Sequence, residues 1–330
     1  MLFKITRESG IPLIGTIYFG IIDRGTNLLQ VRPSCSCNLN CPFCSVDAGP
    51  CSKTRVTNFE IELNYLLGYV KEVAEFKGSG VECHIDSPGE PMLYPEIVKL
   101  VKGLREIPEV SVISMQTNGT LLDKEKIKHL EEAGLDRINL SMMALDGELA
   151  KKLAGFDWYD INKIKEVAET IVKSKIDLLI APVYLPGIND AEIPKLIEFS
   201  KSIGAGKKWP GFGIQKFEKY KLGRKPKGVK IQNWWRFYNQ SIKSWEKEFG
   251  VNLILHPGDF GIEKRKELAK TMEESEKVNA KIVGPGWLKD EKLSVAKERC
   301  VSILNCKKES GELRVKILSN KHNIYVAEIV

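Results

Sequence analysis

A run of about eighteen consecutive apolar residues, the least that spans a bilayer as a helix, occurs nowhere in the 330 residues, which argues against a membrane span. The amino terminus, Met1-Leu2-Phe3-Lys4 followed by Glu8 and Gly10, lacks the long apolar centre of a secretory signal, so the chain is expected to stay in the cytoplasm. Nor is the composition that of a disordered chain. With 43% hydrophobic and 28% charged residues and a mean hydropathy of -0.20, the sequence can bury a core. Its length suits one large domain, or a large one with a small one appended. There is no internal repeat beyond an alternation of strand and helix patterns.

Charge is present but uneven. The formal net charge is +7, yet the stretch from Lys207 to Arg236 holds ten Lys or Arg and one acid, Glu218. That stretch nets +9 and leaves the remainder of the chain near -2. A charge kept only for solubility would be spread, whereas a surface facing a polyanion concentrates it.

Cysteine is likewise clustered. Of eight, at positions 35, 37, 41, 44, 51, 83, 300 and 306, five fall within seventeen residues. In a short secreted chain this would read as a disulfide framework. In a long chain without a signal it reads as metal or redox chemistry.

The hydrophobic pattern predicts short strands over 1–27, then a strand at Leu28–Arg32, a helix from Asn58 to about Lys77, and a strand at Val81–Asp86. A helix opened by Pro95, a strand at Val110–Gln116, a helix capped by Asp123 and a strand at Arg137–Ser141 continue the alternation. Helices over Ile161–Ser174, Asp190–Ile203 and Ile231–Phe249 and strands over Ile176–Tyr184 and Gly211–Phe217 complete six strand–helix units. The fold class expected is α/β, a partial six-unit TIM-like barrel over 28–250 with its chemistry on the loops after the strands. Residues 251–279 read as a linker with one helix. Residues 280–330, with runs at Lys281–Val283, Leu293–Ile303 and Leu313–Val330, read as a small β-barrel of OB type.

The sharpest pattern is Cys37-Asn38-Leu39-Asn40-Cys41-Pro42-Phe43-Cys44, a CxxxCxxC spacing. Three thiolates so placed can take three irons of a [4Fe–4S] cluster and leave the fourth open. A structural zinc would want a fourth protein ligand, and neither Cys35 nor Cys51 fits such a spacing. With its aromatic before the last cysteine, the motif resembles the signature of the radical S-adenosylmethionine (SAM) superfamily.

Other elements resemble that family in the same order. Asp86-Ser87-Pro88-Gly89-Glu90-Pro91 is similar to its GGEP loop, with Pro88 in place of the first glycine. Gln116-Thr117-Asn118-Gly119-Thr120 is similar to its TNGT stretch. Asn139-Leu140-Ser141 stands where the family often puts a polar residue against SAM, and Pro182-Val183-Tyr184-Leu185-Pro186-Gly187-Ile188-Asn189-Asp190 resembles a PGIND stretch.

The resemblance implies a [4Fe–4S] cluster on Cys37, Cys41 and Cys44. It implies SAM bound near Phe43, Gly89, Glu90, Thr117, Asn118, Ser141 and Val183, with Glu90 receiving the SAM amino group. It also implies an external electron donor such as ferredoxin or flavodoxin, and hydrogen abstraction by a 5′-deoxyadenosyl radical.

For the substrate, the basic stretch interleaves cations with Trp209, Phe212, Phe217, Tyr220, Trp234 and Trp235, an arrangement suited to single-stranded RNA. Lys221, Arg224, Lys225, Lys227 and Trp234 are the candidate tRNA contacts. The carboxy-terminal domain is similar in size and position to the TRAM domain of tRNA-modifying members.

Methylthio transfer and wyosine-type ring construction need upstream ligands that this sequence lacks, and cobalamin-dependent methylation usually adds a domain for which there is no room. Methylation through a mobile cysteine pair would have to draw on Cys51, Cys83, Cys300 or Cys306, of which Cys83, Cys300 and Cys306 are retained as candidate catalytic residues. The leading expectation is methyl transfer to a carbon of a tRNA nucleoside, such as the threonylcarbamoyl side chain of a hypermodified adenosine near the anticodon. The alternative is a radical SAM enzyme acting on a small molecule or peptide.

Overall fold

In the computed structural model, which describes Met1–Val330, the chain begins with β1 (Leu2–Ile5), β2 (Gly20–Asp23), β3 (Leu28–Arg32) and β4 (Asn58–Ile61) before the first long helix, α1 (Leu63–Lys77). Strand and helix then alternate through β5 (Val81–Ile85), α2 (Ile97–Arg105), β6 (Val110–Thr117), α3 (Lys124–Ala133) and β7 (Arg137–Leu140). Next come α4 (Gly147–Ala154), α5 (Ile161–Lys173), β8 (Asp177–Ile180), β9 (Val183–Tyr184) and α6 (Glu192–Ile203). A short β10 (Gln215–Lys216) precedes the helical turn α7 (Trp234–Arg236) and α8 (Lys243–Phe249). The remaining strands are β11 (Lys277–Pro285), β12 (Lys292–Ala296), β13 (Arg299–Ile303), β14 (Glu312–Ser319) and β15 (Val326–Ile329).

Local chemistry explains the helix ends. Asp123 accepts the Lys126 N–H to cap α3, and Gly134 ends it at φ 96, where a side chain would be strained. Burial at Ile161, Ile164, Val167, Ala168 and Ile171 puts one face of α5 into the core.

The chain divides into two compact units. The first holds Met1–Cys37, Ser52–Ile113 and Glu263–Val330, and the second holds Asn38–Cys51 and Ser114–Ile262. The strand order in the six-stranded sheet is β2-β3-β5-β6-β7-β8. β3 and β5 are parallel with β2 an antiparallel edge, and β6, β7 and β8 are parallel. The α/β class and the open, partial-barrel strand order are those the sequence predicts.

In the first unit, β1 pairs in parallel with β4, and β11-β12-β13-β15-β14 close into a barrel around Val301, Ile303, Val315, Ile317 and Tyr325. Here Lys77 and Asp23 form an ion pair at 2.5 Å with side chains 0% and 1% exposed. The same carboxylate also accepts Gly25 N and Leu268 N, and the Lys77 ammonium donates to Lys266 O.

Four expectations change. Asn58 starts a strand and not a helix, because Phe59 and Ile61 are buried on alternate positions while the segment pairs with β1. The predicted sixth strand, Gly211–Phe217, is irregular apart from β10. Its residues still bond along the end of β8, where Ile180 N donates to Gly211 O and Gly213 N donates to Ile180 O. Gly211 lies so close to Ala205 O that a Cβ there would stand 2.3 Å away, a crowding that regular extended pairing does not produce. The last predicted helix of the barrel is broken between α7 and α8 by a π-turn, Phe237–Ile242. Leu293–Ile303 is a hairpin and not one strand, turning at Lys297 (φ 43) and Glu298 (φ 57), the left-handed pair of a two-residue turn. The barrel begins at Lys277, and its closest helical neighbour in sequence is the 3-10 turn Pro257–Phe260.

Candidate functional site

The cysteine loop has little regular structure and is held by side chains from several elements. In the first unit the turn after β5 grips the backbone just before Cys37. Glu90 N donates to Ser36 O at 2.7 Å, and a Cβ on Gly89 would stand 2.0 Å from that same oxygen. The PGEP element thus requires glycine because two backbones meet there. Glu90 is 1% exposed and accepts the Met92 N–H to cap the 3-10 turn Pro91–Leu93. Asp86, at the head of this loop, is bound by Gln30 and Arg32.

In the second unit the loop after β6 does the corresponding work. Asn118 donates to Asn38 Oδ1 at 2.9 Å, Asn38 donates to Thr120 Oγ1 at 2.8 Å, and Asn118 Oδ1 accepts the Thr120 N–H and hydroxyl. Gly119, at φ 76, makes the turn. Asn40 N donates to Ala154 O, and a Cβ on Gly155 would fall 2.2 Å from Asn40 O. The Asn40 side-chain oxygen is buried without a partner, an acceptor left for a bound group.

Cys37, Cys41 and Cys44 are in no disulfide and of intermediate exposure, and Phe43 is buried. Cys44 N donates to Cys41 O, and Cys44 Sγ accepts the Ala48 N–H at 3.3 Å. No three His, Cys, Asp or Glu side chains stand close enough to share one metal ion, whereas a cubane takes each thiolate on a separate iron. The donor chemistry fits a [4Fe–4S] cluster.

The second unit also contains a cavity of about 240 Å³. Gln116, Asn139 and Leu179 are register partners on β6, β7 and β8, so they form one row at the carboxy ends of the strands and face the same way. All three line the cavity with Ala181, Gly213 and Gln215, and Phe237, Tyr238 and Phe260 supply rings. Gln116 Nε2 donates to Ser141 Oγ at 2.8 Å, joining this wall to a candidate SAM residue. Phe237 and Tyr238, successive residues of the π-turn, both reach this lining.

The remaining predicted residues divide. Thr117 is 2% exposed, belongs to the row alternate to Gln116, and accepts Gly119 N; its hydroxyl serves the turn. Val183 lies in β9, half-buried. Asn189 is a buried hub that donates to Met143 O and Val183 O and accepts Leu185 N.

Cys83, Cys300 and Cys306 are buried. Burial pushes the Cys83 thiol up to about 12 and that of Cys300 higher still, with its Sγ bonded to Pro12 O. Thiols so placed are poor nucleophiles in this conformation.

Arg224 is not a free phosphate contact, since its side chain binds Asp47. Lys221, Lys225 and Lys227 are exposed. Trp234 is 53% exposed, stacked on Tyr238 and covered by the Lys216 ammonium at 4.7 Å.

Sequence reasoning passed over Asn38, Asn40, Asp47, Gln116, Asn139 and the Phe237–Tyr238 pair. Only the row Gln116–Asn139 carried a signal, since both precede the polar strand ends that the family resemblance marks.

A half-barrel sheet with a three-cysteine loop at its strand ends is the architecture of an enzyme that couples an iron–sulfur cluster to SAM. Residues 31–200 match the Radical SAM superfamily, and the chain belongs to that superfamily, whose members use a [4Fe–4S] cluster and SAM and draw on an external reductant.

An uncharacterized protein of Methanocaldococcus jannaschii is 45% identical over 342 residues, covering 97% of this chain and 79% of that protein. A GTP 3′,8-cyclase of Chlorobaculum tepidum is 29% identical over 197 residues, covering 60% of this chain and 56% of the cyclase. The chain thus spans little more than half the length of the cyclase that it matches.

Among solved structures, Streptococcus suis SuiB bound to S-adenosylmethionine is similar at TM-score 0.52 and 19% identity, over 74% of this chain and 50% of SuiB. Polyhistidine-tagged anSMEcpe with bound AdoMet is similar at 0.51 and 23%, over 67% and 58%. These likenesses show the fold. No helix is long and apolar enough to cross a membrane.

Proposed function

We propose that this radical SAM enzyme abstracts hydrogen from a small molecule carrying a neutral, planar, hydrogen-bonding group such as a nucleobase. Cys37, Cys41 and Cys44 are the cluster ligands in this reading, and Glu90, Asn118 and Ser141 lie at the SAM side. When bound, the reduced cluster and SAM together supply a 5′-deoxyadenosyl radical. The protein's part is to hold the substrate carbon close and to keep water and stray hydrogen donors away.

The observation that carries the reading is the Gln116–Asn139–Leu179 row and the cavity it walls. Amides from Gln116, Asn139 and Gln215 can pair with the edge of a base, and Phe237, Tyr238 and Phe260 offer faces for stacking. At about 240 Å³ the cavity is smaller than a drug-sized site, which suits one ring system and not an oligonucleotide. The name of the cyclase relative, which refers to GTP, supports the same class.

The test is anaerobic turnover with substrates deuterated at the sugar and base, reading deuterium in 5′-deoxyadenosine. A nucleotide should transfer label, and Gln116→Leu should abolish the transfer while leaving uncoupled SAM cleavage. Alanine at Cys37, Cys41 or Cys44 should remove both the cluster and cleavage, and alanine at Cys35 or Cys51 should remove neither. Label from peptides or tRNA alone would overturn the small-molecule reading.

A second reading, tRNA modification by methyl transfer, rests on the exposed rings of Tyr220, Trp234 and Trp235 beside the exposed Lys221, Lys225 and Lys227. It predicts that alanine at the three lysines flattens the salt dependence of tRNA binding by roughly one unit of log–log slope per lost contact. Identical slopes for variant and wild type remove it.

A further inference from the structure

Arg224 comes from the basic run, yet every nitrogen of its guanidinium donates into the cysteine loop. Nε bonds Asp47 Oδ1 at 2.5 Å, Nη1 bonds Cys41 O at 2.9 Å and Nη2 bonds Ala48 O at 2.5 Å. Its backbone N donates to Cys44 O at 2.8 Å. The residue before it is equally constrained, since a Cβ on Gly223 would lie 2.7 Å from Ser45 O. Both charged side chains are withdrawn from water, Arg224 at 17% and Asp47 at 6% exposure. Asp47 also sits at φ 52, a conformation that a non-glycine residue holds only where its surroundings enforce it.

We propose that Arg224 is a positioning residue for the iron–sulfur cluster. Gly223 and Arg224 strap the turn Cys41–Ala48 from outside, so that Cys41 and Cys44 are arranged for iron before it binds. The buried Arg224–Asp47 pair also fixes the charge beside the cluster. A guanidinium suits this task better than a lysine, because its planar fork spreads five fixed donors over three nitrogens and so reaches a carboxylate and two separate carbonyls. The strap therefore belongs to the cofactor site and not to a surface for phosphates.

The inference rests on Cys41 and Cys44 being cluster ligands, and the experiment separates the two. If that ligand assignment is wrong, alanine at Cys41 or Cys44 leaves the cluster in place. If only the strap is wrong, those variants lose it while the Arg224 variants do not.

Full-length wild type, Arg224→Ala, Arg224→Lys, Asp47→Asn and the neighbouring exposed control Lys225→Ala are reconstituted anaerobically. Iron loss to a chelator is followed, and the midpoint potential is taken by titration under electron paramagnetic resonance. Partners that orient metal ligands are typically worth about 10–100-fold in metal affinity. Arg224→Ala should therefore release iron about 10–100-fold faster, with Arg224→Lys between it and wild type and Lys225→Ala unchanged.

The potentials discriminate a charge-setting strap from a merely structural one. Arg224→Ala removes a positive charge from beside the cysteine turn and should lower the potential, whereas Asp47→Asn removes a negative one and should raise it. Unchanged iron loss in Arg224→Ala, or shifts of the same sign in the two variants, overturns the proposal. Should Arg224→Ala fail to fold, Asp47→Asn against wild type carries both readouts.

Discussion

Replacing Gly89 by alanine tests whether the PGEP loop is a backbone clamp on the cysteine loop. The added Cβ would stand 2.0 Å from Ser36 O, 2.5 Å from Ser36 C and 2.9 Å from Cys35 O, and real Cβ atoms essentially never come within 3.0 Å. All three obstacles are backbone atoms, so no side-chain rotation relieves the clash and the two segments must part by about 1 Å at van der Waals contact. Overpacking of this kind costs about 1–3 kcal/mol. Parting also stretches the Glu90 N–Ser36 O bond, worth a further ~1 kcal/mol.

A sum of about 2–4 kcal/mol, at about 2–4 °C per kcal/mol for a unit of this size, corresponds to a fall of about 5–15 °C in the first unit's Tm. Because Ser36 adjoins Cys37, iron stoichiometry should fall as well. Gly147→Ala is the control, since nothing lies within 4 Å of its Cβ position and alanine favours the first turn of α4. Calorimetry and iron assay on the reconstituted protein decide the matter. A Gly89→Ala protein with wild-type Tm and full iron would refute the clamp.

Two further outcomes concern stability of the first unit. Asp23→Ala strands the Lys77 ammonium, 0% exposed in the intact pair, and should cost about 3–5 kcal/mol in urea unfolding; a loss under 1 kcal/mol would show that water reaches the lysine. Burial raises the Cys35 and Cys83 thiols from 9.0 to about 12, so between those values the unfolded chain gives up protons that the folded one keeps. Stability should hold below pH 9 and decline from pH 9 toward 12, and Cys83→Ser should reduce the slope; an unchanged slope rejects Cys83 as its source.

The parts of the fold that were legible in the sequence are those where local pattern and tertiary demand agree. The helices α3 and α5 begin at Asp123 and Asp160, whose carboxylates cap them, and their apolar faces follow the helical period. Where the two disagree, the reading failed. Asn58 has a cap's side chain, but Phe59 and Ile61 answer to the pairing with β1. Gly211 reads as tolerable in a strand, yet it marks a segment that must bend past Ala205. The turn at Lys297–Glu298 left no sign, because neither residue is one that usually takes positive φ.

The motif residues were placed by resemblance, but the work they do emerges only from contacts. Asn118 and Thr120 hold Asn38, and Gly89 and Glu90 hold Ser36.

The misreading of Arg224 shows what a charge count omits. Ten cations over thirty residues look alike as a field, but field and fold use different members of the set. Lys207 donates through its backbone and its ammonium to the turn around Asp177 and Ile176, and Lys216 pairs with Glu218 under Trp234. Arg224 is taken up by the cysteine loop. What remains exposed near that loop is lysine, a residue that keeps its charge hydrated at little cost, while the arginine at 224 is the one with four bonds to a turn that carries two cysteines. The arginine at 224, directly after a glycine, has a largely buried, multidentate partner. That partner is the turn Cys41–Ala48, which takes Arg224 out of the set of exposed cations.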